Sequence, residues 1–303
     1  MAEEIPFRRE MIFEYGIVRE LMPGVQRLVA NNPGPFTFKG TNTYILGSGQ
    51  ELMLIDPGPT DDVHYEAIVR WIEPRRLSTI LITHTHRDHI DGLDRLVVAT
   101  GAKTCGFGRV AADPGRRKTS ASGGEDTDQS FRPDTVLEDG GRIEGEGFSL
   151  TAIHTPGHAP DHLCFALEGT GALFSGDHVM SWNTSVVAPP EDNMMAYMRS
   201  LDRLVKRDDD VYFPGHGGRL TQPQRVVKAF ILHRRMREEA ILTCIREGRE
   251  TIAEIVPIVY RGLDSRLLNA ASLSVAAHVE SLVERGLVLS TGPLTKPDRL
   301  SAV

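Results

Sequence analysis

Thr83-His84-Thr85-His86-Arg87-Asp88-His89-Ile90-Asp91-Gly92 follows the apolar run Ile80-Leu81-Ile82, and its reading decides the fold. Three imidazoles and one carboxylate fall within the six positions 84–89. Neutral imidazole together with carboxylate suits zinc, iron or manganese. Gathering such groups at a strand end without a partner is costly, because each must be desolvated. A solvated polar turn is the alternative reading, and the rest of the chain weighs against it.

Three later turns repeat the pattern. Thr151-Ala152-Ile153-His154 breaks at Thr155-Pro156-Gly157 and presents His158. Gly171-Ala172-Leu173-Phe174 ends in Ser175-Gly176-Asp177-His178, and Val211-Tyr212-Phe213 ends in Pro214-Gly215-His216. Each is a short apolar strand, a glycine that permits a sharp turn, then a metal-capable side chain. Strands that end this way deliver their last residues to one edge of a sheet, where α/β proteins place their sites.

This constellation resembles the metallo-β-lactamase superfamily, whose pattern is a His-x-His-x-Asp-His box, a His after Thr-Pro-Gly, a Gly-Asp and a final Gly-His. The resemblance spans roughly residues 15–220 and implies an α+β, four-layer αβ/βα sandwich with the metals at one edge. Carried over by position, His84, His86 and His158 would hold one metal, and Asp88, His89 and His216 the other, with Asp177 bridging. The implied cofactor is a pair of divalent ions, zinc first, with iron or manganese as alternatives. Asp56, in Leu54-Ile55-Asp56-Pro57-Gly58, would support the ligands from behind. His162 is read as orienting a ligand and His178 as lining the cleft in contact with substrate. His154 is assigned a structural place on its strand, and His64, His233 and His278 are expected on the surface or on helix faces.

The chemistry the resemblance implies is hydrolysis by a metal-activated water, with Asp88 beside it to orient the nucleophile and take a proton. Asp177 separates the chain from metallo-β-lactamases, which generally lack that bridge, and His86 from flavodiiron proteins, which carry a glutamate there. Single-iron persulfide dioxygenases use fewer of these ligands. The tail narrows the reading further. A charged helix over 222–248, a capping box at Thr251 and Glu254, a helix from Leu267 to Arg285 ending at Gly286, and a strand pair beyond follow winged-helix grammar. Domains at 1–220 and 221–303 then resemble the β-lactamase-like protein 2 group. That resemblance implies a hydrolase of an ester-like or phosphodiester bond, with endoribonuclease activity as one form of it. A glyoxalase-II-like thioesterase is the rival, and a winged-helix nucleic-acid-binding protein with a vestigial metal site is the alternative of another class.

Composition sets limits. The 303-residue chain, with 40% hydrophobic and 25% charged residues, reads as an ordinary globular protein. It has no apolar run of membrane-spanning length, and its acidic start does not resemble a secretory signal. Three scattered cysteines, Cys105, Cys164 and Cys244, fit buried small hydrophobes and a reducing cytoplasm. The net charge is −7, and residues 221–303 carry 12 basic against 9 acidic side chains, a net of +3. A duplex-binding domain shows a stronger basic footprint, so sequence-specific DNA binding is not expected. The expected partners are a small ester or thioester, or single-stranded RNA, with a homodimer as the commonest assembly. The Arg234-Arg235-Arg237 cluster reads as a solvated helix face. Residues 113–134 read as a long surface loop, and 185–207 as helical.

Overall fold

The computed structural model describes residues 5–108, 127–292 and 299–303. The first sheet takes its strands in chain order: β1 (Arg19–Met22), β2 (Val25–Val29), β3 (Asn42–Leu46), β4 (Glu51–Ile55), β5 (Arg76–Leu81), β6 (Lys103–Gly106) and β7 (Thr135–Val136). It begins antiparallel and turns parallel from β4 onward, once helices carry the crossovers. The second sheet holds β8 (Arg142–Glu144), β9 (Ser149–His154), β10 (Leu163–Leu167), β11 (Ala172–Gly176), β12 (Val211–Pro214) and β13 (Leu220–Thr221), in the order β13-β12-β11-β10-β9-β8.

Alternation along the strands explains the layering. In β10, Leu163, Phe165 and Leu167 enter the core between the sheets, while Cys164 and Ala166 face the outer helices. In β4, Met53 and Ile55 point inward, and Leu52 and Leu54 pack under α1 (Asp62–Ile72). Strands covered on both faces read as unbroken apolar runs, which is why Leu52-Met53-Leu54-Ile55 shows no polar alternation. α1 buries His64, Ala67, Ile68 and Ile72, a helical stripe opened by an Asp61 N-cap that accepts from His64 N. α2 (Arg87–Ile90) and α3 (Leu93–Thr100) complete this outer layer. On the far face, α4 (Met194–Leu204) buries Tyr197, Leu201 and Leu204. The expected 185–207 helix is thus shorter: Pro189-Pro190 cannot continue one, and Asn193 caps the start by accepting from Ala196 N.

The 24-residue α5 (Pro223–Arg246) joins two cores. Val226, Val227, Phe230 and Ile231 pack with the second sheet and α4. Ile241, Leu242, Cys244 and Ile245 pack with α6 (Ile252–Val259), α7 (Leu268–Glu284) and the hairpin β14 (Val288–Thr291)–β15 (Arg299–Ala302). The Thr251–Glu254 capping box forms on α6 as expected. Of the arginine cluster only Arg235 is exposed as a solvated face requires; Arg234 and Arg237 are not. Arg234 is 4% exposed, donates to Ser185 O and to Ser274 Oγ at 3.4 Å, and lies over the Tyr197 ring. Arg237 donates to Val259 O and covers Tyr260. Three histidines also depart from expectation. His64 and His278 are 2% and 1% exposed, and His233 is half-buried, because α1, α5 and α7 are covered on the faces that carry them. Of the expected 113–134 loop, residues 113–126 lie outside the described residues, while Thr127 bridges to His86 and Asp128 N donates to Thr85 O. All three cysteines are buried and free.

Candidate metal centre

The strand ends deliver their polar residues to one edge between the two sheets. β4 ends at Asp56, β5 at Thr83-His84, β9 leads through Pro156-Gly157 to His158, β11 ends at Gly176-Asp177 and β12 at Gly215-His216. Gly215 is required by close approach: a Cβ there would lie 2.2 Å from Asp177 Oδ1 and 2.7 Å from His89 Cε1. Gly176 turns with φ +48, and a Cβ on it would meet His162 Nε2 at 2.5 Å.

Three groups of ligand-type atoms converge among the described residues: His84, His86 and His158; His84, His89 and Asp177; and Asp88, His89 and His216. Within each group the atoms lie within 4.8 Å of one another. In the first, His84 Nε2 stands 2.9 Å from His86 Nδ1 and 3.3 Å from His158 Nε2. The hydrogen-bond network fixes the tautomers. Thr83 Oγ1 donates to Asp56 Oδ2 at 2.7 Å and so accepts from His84 Nδ1 at 2.9 Å. His158 Nδ1 donates to Val186 O at 2.8 Å. The two Nε2 lone pairs therefore face each other, an arrangement that a cation between them satisfies and a hydrogen bond does not. Nitrogens on one tetrahedral zinc stand roughly 3.3 Å apart for Zn–N bonds of about 2.0–2.1 Å.

The third group, Asp88, His89 and His216, has more negative charge about it. His216 Nε2 is 3.1 Å from Asp177 Oδ2 and 3.3 Å from Asp88 Oδ2, and His89 Nε2 is 3.3 Å from His216 Nε2. Asp177 lies between the groups, its Oδ1 3.6 Å from His89 Nε2 and its Oδ2 3.8 Å from His158 Nε2. That Oδ1 is buried without a hydrogen-bond partner. Burial and the neighbouring imidazoles push the His84 pKa well down, so it stays neutral. Burial opposes charge on His216 as well, but Asp177 and Asp88 outweigh it and push its pKa up to about 10. The same carboxylate field attracts a divalent cation. Lone pairs on one side and the carboxylates of Asp177 and Asp88 on the other form a donor set that fits two cations.

The supporting residues lie behind the cluster. Asp56, held at φ +54, accepts from Thr83 N, Thr83 Oγ1 and His89 Nδ1 at 2.8, 2.7 and 2.8 Å. His89 Nε2 is thereby left to face the centre. His162 spends both nitrogens: Nδ1 donates to Thr155 Oγ1 at 2.8 Å and Nε2 accepts from Asp177 N at 3.1 Å. It braces the Gly176-Asp177 turn. His178 is fully buried against Tyr197 and neither ring nitrogen has a hydrogen-bond partner, so it sits in the core and not in an open cleft. His154 donates from Nε2 to Pro160 O at 2.9 Å and stacks on Phe107. Sequence reasoning had no chemical signal for Thr41, which donates to Asp88 Oδ2 at 2.9 Å, for Thr83, or for the Val186 carbonyl. Thr41 and the Val186 carbonyl acquire these parts only through long-range contact, and Thr83 only once Asp56 orients its hydroxyl.

Residues 36–216 match the model of the metallo-β-lactamase superfamily. The chain belongs to the metallo-β-lactamase superfamily. It is a hydrolase of that superfamily, and residues 251–296 match the β-lactamase associated winged helix domain. The chain is 32% identical to the β-lactamase-like protein 2 homolog of Drosophila melanogaster over 279 residues, covering 89% of this chain and 91% of that one. It is 31% identical to the atrochrysone carboxyl ACP thioesterase of Aspergillus chevalieri over 253 residues, 80% and 75% of the two chains. A β-lactamase domain protein from Burkholderia ambifaria shares the fold at a TM-score of 0.79 and 21% identity, over 97% of this chain and 96% of that one. Among the described residues no helix is long and apolar enough to cross a membrane.

Proposed function

We propose that the protein is a dinuclear hydrolase of a small thioester or related ester. The observation that carries the reading is the pair of ligand groups meeting at Asp177. His84, His86 and His158 would hold one divalent cation and Asp88, His89 and His216 the other, with Asp177 shared; zinc suits the donors, and iron or manganese remains compatible. Bound there, two cations supply Lewis acidity that lowers the pKa of a water toward neutrality and polarises the substrate oxygen.

The protein's own residues do the rest. Asp88 is the most exposed member of the cluster, its side chain 23% accessible, and Thr41 fixes its Oδ2. It is the group that meets the nucleophile, orients it and accepts its proton. Asp56 and His162 hold His89 and Asp177 in register without touching substrate, which limits the reorganisation needed during reaction. The hydrolase unit is 1–220 in this reading, and 221–303 forms the winged-helix unit with α5 as the common wall.

The thioesterase named among the relatives supports the thioester choice. Burial on α7 counts against duplex binding by the winged-helix unit: His278 and Glu280 are 1% and 6% exposed, so that face of the helix does not reach a groove. A phosphodiester in single-stranded RNA is the second reading, favoured by the bridged two-cation donor set, which also suits in-line displacement. An acyl thioester, single-stranded RNA and bis(p-nitrophenyl) phosphate, assayed side by side with His86→Ala as control, separate the two. Thioester turnover lost in the variant is the expected result. Turnover of RNA alone would overturn the thioester reading, and activity unchanged by His86→Ala would overturn the metal reading.

A further inference from the structure

A second concave site lies apart from the ligand cluster. A cavity of about 1160 Å³ opens between the N-terminal segment, β1, β2 and the residues that follow His216. Five arginines line it: Arg8 and Arg9 from the segment, Arg19 from β1, Arg27 from β2 and Arg219. Glu10 and Glu20 are the acidic residues of the same wall. Among the described residues none of the five arginines forms an ion pair.

Arg27 is the unusual member. It is 3% exposed, yet its Nε is buried with no hydrogen-bond partner, and one Nη2 donates to Ile12 O at 3.0 Å. It stands directly across the β1–β2 ladder from Arg19. Like charges opposite one another on a sheet repel, and a buried cation without a counter-charge is costly. Burial, then Arg19 and Arg219, lower the Arg27 pKa, which records the same crowding. Arg219 is itself steadied by donating to Leu21 O at 3.4 Å. Three guanidiniums drawn together over a cavity, with no described carboxylate on them, match a multiply charged anion better than any other ligand. Guanidinium forks bind phosphoryl oxygens bidentately.

The remaining wall is apolar. Ile5, Phe7, Met11 and Leu21 line it, and Phe7 is anchored edge-on to Phe230 at 6.1 Å. The volume is of the order of small-molecule sites, about 300–1,000 Å³. We propose that this cavity binds a small organic phosphate, with its phosphoryl group on Arg19, Arg27 and Arg219 and its apolar body along Phe7 and Leu21. The site is independent of which bond the metal centre hydrolyses.

Isothermal titration of the metal-loaded protein with phenylphosphonate, at constant ionic strength, tests it. Arg19→Gln and Arg219→Gln alter exposed side chains, so folding is retained; each is expected to weaken binding by ~10-fold or more. Arg27→Gln is the buried companion. Because a phosphonate also has affinity for metals, His86→Ala is titrated in parallel and is expected to bind as the wild type does. No measurable binding by the wild type, binding unaffected by both exposed arginine variants, or binding lost in His86→Ala would each overturn the proposal.

Discussion

Asp56→Asn changes one atom and should separate the two metal subsites. Asp56 accepts three hydrogen bonds, from Thr83 N, Thr83 Oγ1 and His89 Nδ1. An asparagine in the same place keeps one acceptor oxygen, which Thr83 N retains. Its amide NH2 then faces two donors, the Thr83 hydroxyl and His89 Nδ1–H. The hydroxyl can rotate; the imidazole relieves the clash only by moving its proton to Nε2, the nitrogen that faces His216 and Asp177. The wrong tautomer points a proton where a cation needs a lone pair. Losing an orienting partner of a metal-bound histidine costs roughly 10–100-fold in metal affinity. His84 remains held by the Thr83 hydroxyl, and His158 by Val186 O, so the other subsite is spared. The assay is metal content by mass spectrometry across a graded series of chelator. The wild type should pass from two metals to none at high chelator, and the variant should show a plateau at one. Loss of both metals together at the wild-type chelator concentration would refute the tautomer argument.

Other perturbations test other parts of the argument. Gly215→Ala inserts a Cβ against Asp177 Oδ1 and His89 Cε1, so metal content should fall while far-ultraviolet circular dichroism stays unchanged; normal metal content would sink the close-approach reasoning. Phe165→Ala empties a fully buried site between the sheets and should cost about 3–5 kcal/mol, read as a fall in denaturant midpoint. Thr251→Ala breaks the α6 capping box and should cost about 1 kcal/mol, with faster amide exchange confined to α6 and its neighbours. His278 is pH-sensitive: burial lowers its pKa from 6.5 to about 4, against the raising effect of Glu238 on α5 and with Arg234 and Arg237 reinforcing the fall. The unfolded chain then binds a proton that the folded chain refuses, so stability is complete above pH 6.5 and is lost as pH falls toward 4. Between pH 7.5 and 5 this amounts to roughly 2 kcal/mol. His278→Gln should lose less stability than the wild type over that interval by about that amount, and equal losses in the two proteins would contradict the assignment.

The sandwich was legible because its strands are continuous apolar runs and its turns carry glycine next to metal-capable residues, as in Phe213-Pro214-Gly215-His216. Both are local signals: burial on two faces removes polar alternation, and a sharp turn needs a residue without a Cβ. The α6 capping box was legible for the same reason, its two partners lying three residues apart. What no local pattern carries is the direction a side chain takes after folding. His178 adjoins Asp177 in sequence, yet β11 ends in a turn that sends one side chain to the centre and the other against Tyr197. Arg234 was legible only as a charge on a helix; α4 and the Ser185 carbonyl make it a buried link between layers.

By itself, then, the sequence determined which residues could bind metal, in what order, and on what fold. Those are properties of residue type and short spacing. The tertiary structure alone decided which nitrogen of each imidazole faces inward, because Asp56, Thr83 and Val186 fix the tautomers. It also decided that Arg19, Arg27 and Arg219 meet at one cavity. Each of these depends on segments far apart in the chain, whose approach is set by packing and not by neighbours in sequence.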